Sequence, residues 1–135
     1  MKITFSESLA RMVGLREAII AKFLWDILIA SLQEGIQEEH EQNYWVKASG
    51  RDLTAVFPFF SKDACLDALQ NLRDAHILIK GNFNESRFDH TYWHAFTSYG
   101  RKLMLKEMEE QYYDGTGEEN EADYEGIFTP VFGWN

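Results

Sequence analysis

The chain has one cysteine, Cys65, and two prolines in 135 residues, and after Lys106 it carries no Lys or Arg. A lone cysteine excludes an internal disulfide and suits a reducing compartment, so a cytoplasmic protein is expected. Long hydrophobic runs are missing as well. The most apolar stretch, Ala18 to Leu32, is 15 residues long and includes Lys22 and Asp26. A membrane-spanning helix needs ~20 apolar residues, so a buried helix is expected there, with no membrane role. Residues 1–13 lack the basic start and apolar run of a secretory signal. Gly115-Thr116-Gly117 has neither a following lysine nor a preceding strand, so it does not read as a phosphate loop.

What is present suffices for one core. The hydrophobic fraction is 45% and the aromatic fraction 15%, typical of a chain that buries an interior. The net charge of −9 is unevenly placed: residues 1–106 hold 13 basic and 13 acidic residues, and residues 107–135 hold 9 acidic ones. A smaller acidic patch lies at Glu34, Glu38, Glu39 and Glu41. Between Tyr44 and Lys106 there are 9 basic and 6 acidic residues, a net of +3. The expected organisation is a domain over 1–112 and an acidic linker with an apolar C-terminal tip over 113–135. Left in water, Ile127 to Asn135 would be a sticky patch. It is expected either to dock on its own domain or to serve as a motif for a protein partner.

Along the chain, Gly14-Leu15-Arg16-Glu17 opens a long helix, with Glu17 at the positive end of the helix dipole. Ile19, Ile20, Phe23, Leu24, Ile27, Leu28 and Leu32 leave only a narrow polar stripe through Lys22 and Asp26, an i, i+4 pair. A helix apolar on nearly all sides needs cover. A homodimer through Ile20, Phe23, Leu24 and Ile27 is the expected answer, with complete burial inside its own domain as the alternative. Gln33 to Asn43 reads as a polar loop and Tyr44 to Ala48 as a short strand. Ser49 to Asp52 can cap a short helix running to about Val56, and Pro58 ends that segment. Ser61 caps the next helix, with Cys65, Leu69 and Leu72 facing inward. Ile77 to Phe83 and His90 to Thr97 read as a hairpin about a turn at Asn84 to Arg87, and Tyr99 to Tyr112 as a last helix. The expected fold is therefore mainly α with a small β-hairpin, in the order of a winged helix-turn-helix. The helix from Ser61 to about Ala75 takes the recognition slot, and Ile77 to Thr97 the wing.

Within that order, Leu9-Ala10…Gly14-Leu15-Arg16-Glu17-Ala18-Ile19-Ile20 resembles the opening of the winged-helix domain in phage replisome-organiser proteins. These are related to the N-terminal domain of the DnaD primosome proteins. Phe57-Pro58-Phe59…Ser61, Leu69…Leu72, Ile77…Gly81-Asn82-Phe83-Asn84 and Asp89…Thr91…Trp93-His94 continue the resemblance, which covers about residues 9–103. It implies a self-associating, DNA-binding module used when phage or plasmid replication begins. Such proteins usually carry a further C-terminal domain, and here only the acidic tail follows. The outward stripe of the recognition helix is also unusual: Asp63, Asp67, Gln70 and Asp74 would turn three carboxylates to a polyanion.

The candidate nucleic-acid contacts are Lys47, Arg51 and Lys62 around the short helix, Arg73 on the recognition helix, and Lys80, Asn82, Asn84 and Arg87 on the wing. Ordinary solvated charge is the competing account of each. Tyr92, Trp93 and Phe96 suit stacking on single-stranded bases, or simply the apolar face of the hairpin. No catalysis, metal or cofactor is expected. His90 and His94 would lie ~13 Å apart along a strand, too far to share one ion. Cys65 falls on the buried stripe with no activating base beside it. The alternative function is a winged helix that binds or inhibits a host protein through its acidic surfaces.

Overall fold

The computed structural model of the protein describes residues 2–112; the expected acidic linker and apolar tip, with both readings of the tip, lie outside the described residues. In chain order the elements are α1 (Glu7–Val13), α2 (Leu15–Glu34), β1 (Glu38–His40), β2 (Asn43–Lys47), α3 (Gly50–Val56), α4 (Lys62–Asp74), β3 (Leu78–Gly81), β4 (Trp93–Phe96) and α5 (Ser98–Tyr112). This is a small α+β arrangement with a four-stranded antiparallel sheet in the order β1-β2-β4-β3.

Local chemistry places most of the boundaries. Ser6 caps α1 by accepting the Leu9 N–H at 3.1 Å. Gly14, at φ 111°, turns the chain into α2, a conformation that side chains disfavour. At the other end of α2, Gly35 is left-handed at φ 72°. Its N–H and that of Ile36 return to the carbonyls of Leu32 and Ser31, closing the last turn. Ser49 and Asp52 form a reciprocal capping box on α3, and Ser61 Oγ accepts the Ala64 N–H at the start of α4.

The sheet departs from the expected isolated hairpin. The supposed polar loop contains β1, which pairs with β2 in the register Glu38↔Trp45 to His40↔Asn43. The turn between them places Glu41 and Gln42 at φ 54° and 66°. The expected hairpin strands are also shorter, because residues 82–92 form a loop and His90 lies in it rather than on β4. Period-two alternation then separates two faces. Tyr44, Val46, Leu78 and Phe96 join the main core beneath α2, while Trp45, Trp93 and Ala95 form a second cluster with Phe83 on the other side.

The main core is built around α2. Ala18, Ile20, Ala21, Leu24 and Trp25 have no exposed surface. The Trp25 ring meets Phe96 edge-on at 5.1 Å, and Phe23 meets Phe57 edge-on at 5.3 Å. Leu9 of α1 and Leu69 and Leu72 of α4 belong to the same core. Half of the expected homodimer interface is thereby taken up inside the chain. Ile20 and Leu24 are buried within one chain, and Phe23 and Ile27 are half-buried against its core. α1, where no helix was expected, and β2 are part of what encloses this helix.

At the other end of the sheet, Thr97 joins β4 to α5. Its N–H bonds the Ile77 carbonyl at 3.0 Å, and its Oγ1 accepts the Gly100 N–H at 2.9 Å. Gly100 then lies so close to the β3 side that a Cβ would stand 2.3 Å from the Ile77 carbonyl oxygen.

Two outcomes follow for stability. Gly100→Ala forces backbone apart and should cost about 2 kcal/mol, read as a lower urea midpoint; an unchanged midpoint means that α5 is not seated on Ile77. Leu24→Ala should cost ~2–5 kcal/mol through the cavity it leaves, with the mass of the folded species in sedimentation unchanged. A Leu24→Ala chain that keeps its stability but loses a dimer would restore the interface.

Candidate nucleic-acid interface

Because β4 alternates, Tyr92, His94 and Phe96 share the sheet face that carries Val46 and Leu78, and Lys80 pairs with His94 across the ladder. That face looks toward α4. Between them runs a groove of about 470 Å³, walled on the helix by Lys62, Leu66, Asp67, Gln70 and Arg73. The opposite wall has Ser49 and Gly50 at the start of α3, and His90, Thr91, Tyr92 and His94. A shallower cleft of about 350 Å³ beside it is lined by Arg51, Thr54, Ala55 and Lys62.

His94 is the buried polar residue of the groove, 3% exposed. Its Nε2 lies 3.0 Å from the Ala48 carbonyl oxygen, which accepts only, so Nε2 carries the proton. Nδ1 is then a lone pair, and it has no hydrogen-bond partner among the described residues. Burial pushes the His94 pKa down to about 4; Arg73 and Lys80 add to the shift, and the hydrogen bond to Ala48 opposes it. The ring is therefore neutral near pH 7, and its acceptor nitrogen is enclosed by the protein.

The charged walls are partly tethered. Arg73 donates to Gln70 Oε1 at 2.9 Å, and Gln70 Nε2 donates to Asp74 at 2.8 Å. Burial lowers the Arg73 pKa, while Asp74 and Tyr92 favour its charge. Lys80 sits 4.5 Å over the Tyr92 ring, a cation–π contact at the groove edge. α4 is itself held from behind: Asn71 Nδ2 donates to the buried Glu17 carboxylate of α2 at 2.8 Å.

The structure divides the expected contact residues. Lys62 and Arg73 line the groove, Lys80 stands at its edge, and Arg51 shares the neighbouring cleft with Lys62. Arg51 and Lys62 have no ion pair with any described residue. Three others are corrected. Lys47 points to the opposite sheet face, where it pairs with Asp89 at 2.6 Å and lies 5.8 Å over the Trp93 ring. That hydrogen bond and those of Thr91 hold the Asp89 pKa at about 2. Asn84 is consumed internally: Nδ2 donates to the Asp89 and Thr91 carbonyls, and Oδ1 accepts the Trp93 indole N–H at 2.8 Å. Asn82 Oδ1 accepts the Asn84 N–H at 3.1 Å, shaping the same loop. Arg87 is exposed in that loop, its guanidinium 5.1 Å from the Phe88 ring.

Of the aromatics proposed for stacking, Trp93 and Phe96 are buried, whereas Tyr92 is 47% exposed. The net +3 of the central region also moves. Residues 44–98 hold six basic and six acidic residues, and the excess comes entirely from Arg101, Lys102 and Lys106 of α5. Arg101 is buried and bonded to the Phe96 carbonyl, its pKa lowered to about 10 by burial. His94, Gln70 and Ser49 were missed as groove residues; the one available signal was that His94 and Tyr92 are separated by a strand period. His90 and His94 both line the groove, His90 from the loop rather than from the expected strand, and no group of three His, Cys, Asp or Glu side chains placed to hold a metal ion occurs among the described residues. Nor is any helix among them long and apolar enough to cross a membrane. Comparison with protein-family models, curated proteins and solved structures returned no match.

His94 also makes stability depend on pH. The unfolded chain takes up a proton near pH 6.5 that the folded chain refuses until about pH 4. Its contribution is complete above pH 6.5 and is lost on acidification through that window, by about 3 kcal/mol in all. Urea unfolding at pH 7, 6 and 5 should show this decline, and His94→Gln should flatten it. A wild-type midpoint that stays level across the window would mean that His94 is protonated in the fold.

Proposed function

We propose that this chain is a nucleic-acid-binding domain of winged helix-turn-helix type, with α3 and α4 as the helix-turn-helix and the β3–β4 hairpin as the wing. The observation that carries the reading is the groove between α4 and the hairpin, which joins the cations Lys62 and Arg73 to the polar and aromatic side chains of His90, Thr91 and Tyr92. Backbone contacts need cations and hydrogen-bond donors on two walls that converge, and this groove supplies both. The order of the elements and the resemblance to phage replisome organisers support a place in the initiation of phage or plasmid replication.

The mode of contact differs from a recognition helix laid into a major groove. Asp63, Asp67 and Asp74 are exposed on α4, and with the charge balance of residues 44–98 they argue against presenting the outer face of that helix to a duplex. The groove side, through Lys62, Arg73 and Lys80, is the better anion surface. One specific feature favours a second reading: Leu66, 40% exposed among these aspartates, would suit an apolar and basic protein partner.

Titration of labelled single-stranded and duplex DNA at low salt tests the first reading. Binding should weaken with salt at a logarithmic slope of about 2 to 3, as expected for three or four phosphate contacts. Replacing Lys62 and Lys80 together with Ala should weaken it for every sequence alike and lower that slope by about 1 to 2. Absence of binding to either form at low ionic strength would overturn the reading in favour of a protein partner.

A further inference from the structure

The most exposed large apolar side chain among the described residues is Phe88, 78% exposed in the loop between β3 and β4. Its backbone is nevertheless fixed. The Phe88 N–H donates to Ser86 Oγ at 3.2 Å, and the Asp89 N–H donates to the Ser86 carbonyl at 3.1 Å. The Asp89 carbonyl accepts from Asn84 Nδ2, and the Asp89 carboxylate is tied to Lys47 of β2. A loop pinned both from within and from β2 holds the ring out in solvent, because folding it back onto the core would break these bonds. Beside it, the Arg87 guanidinium lies 5.1 Å from the ring centre, which sets two planar groups together at the tip. Residues 90–92 of the same loop wall the groove.

Resting on the nucleic-acid reading above, we propose that Phe88 is a stacking platform for an unpaired base, with Arg87 beside it as the cation for the adjoining phosphate. Bases stack on aromatic rings and on guanidinium planes alike. In a duplex both faces of a base are covered by its neighbours, and opening a step to admit a ring costs energy. An unpaired base offers its face at once. Charge argues the same way. Residues 44–98 carry six cations and six anions, so part of the affinity for a strand must come from a contact that salt does not screen, and an exposed ring supplies one. Every base has a flat face, so the tip recognises unpaired bases rather than a sequence.

The test titrates the full chain with three probes: a short thymidine strand, an abasic phosphodiester strand of the same length, and vesicles containing phosphatidylglycerol. The thymidine strand should bind about 10-fold tighter than the abasic strand. Phe88→Ala, at an exposed position, should erase that difference and leave the logarithmic salt slope unchanged, because it removes no cation. Phe88→Trp should keep the difference. Equal binding of the two strands by the wild-type chain, or an undiminished preference in Phe88→Ala, overturns the stacking site while leaving nucleic-acid binding intact. If Phe88→Ala instead loses binding to the vesicles and keeps its affinity for the thymidine strand, the ring serves a lipid surface and the proposal fails. Failure of both strands to bind at low salt overturns the stacking site and the nucleic-acid reading together.

Discussion

The constraint on which the rest of the structure depends is the burial of α2. Its side chains are apolar on almost every side, and a 20-residue helix of that kind cannot rest against a single partner. Each large aliphatic or aromatic side chain buried there contributes ~1.5–3 kcal/mol relative to exposure, so the chain gains by surrounding it. α1 supplies Leu9, α4 supplies Leu69 and Leu72, and the sheet supplies Phe96 against Trp25. The remaining polar stripe closes on itself through the Lys22–Asp26 pair at 2.6 Å. With α2 enclosed in this way, α4 and the sheet are fixed on a common support, and the space between them becomes a groove of defined width.

The groove inherits its rigidity from contacts outside it. Glu17 and Asn71 pin α4 to α2 at the level of side-chain amide and carboxylate. The three hydrogen bonds of Asn84 lock residues 84–91 against Trp93, which sets where His90, Thr91 and Tyr92 stand. The Lys47–Asp89 pair fastens the same loop to β2 from the far face of the sheet. Residues that look like binding groups by type are thus used to hold the binding groups in place. Of the side chains around the groove, Lys62, Tyr92 and Lys80 are exposed.

Much of this was legible in the sequence where the governing interaction is local. Ser49 with Asp52, and Ser61, announce α3 and α4 because a cap needs only its own helix turn. Cys65, Leu69 and Leu72 announce the buried side of α4 by their spacing. The β1–β2 hairpin was hidden because Glu41 and Gln42 adopt left-handed backbone without the Asn-Gly chemistry that usually marks such a turn. α1 was hidden because seven residues with Leu9 alone buried give no period to read. The apolar circumference of α2 showed that cover was needed and could not show whose. The internal contacts of Lys47 and Asn84 were hidden for a related reason, since their partners Asp89 and Trp93 are defined only once the loop has folded back.

The charge around the groove limits what it could attract at a distance. With six cations and six anions over residues 44–98, this part of the chain has no net formal charge to gather polyanions from a distance. Screening at ~8–10 Å in physiological salt makes that balance the rule beyond the first contact shell. On the proposed nucleic-acid reading, discrimination arises at contact, where Arg73 is oriented by Gln70 and where Lys80 is drawn over Tyr92. Oriented cations beside an aspartate favour a ligand whose charge is placed over one whose charge is merely large. On that reading, a face built in this way sacrifices reach for selectivity, because its cations are held in place and are not in excess.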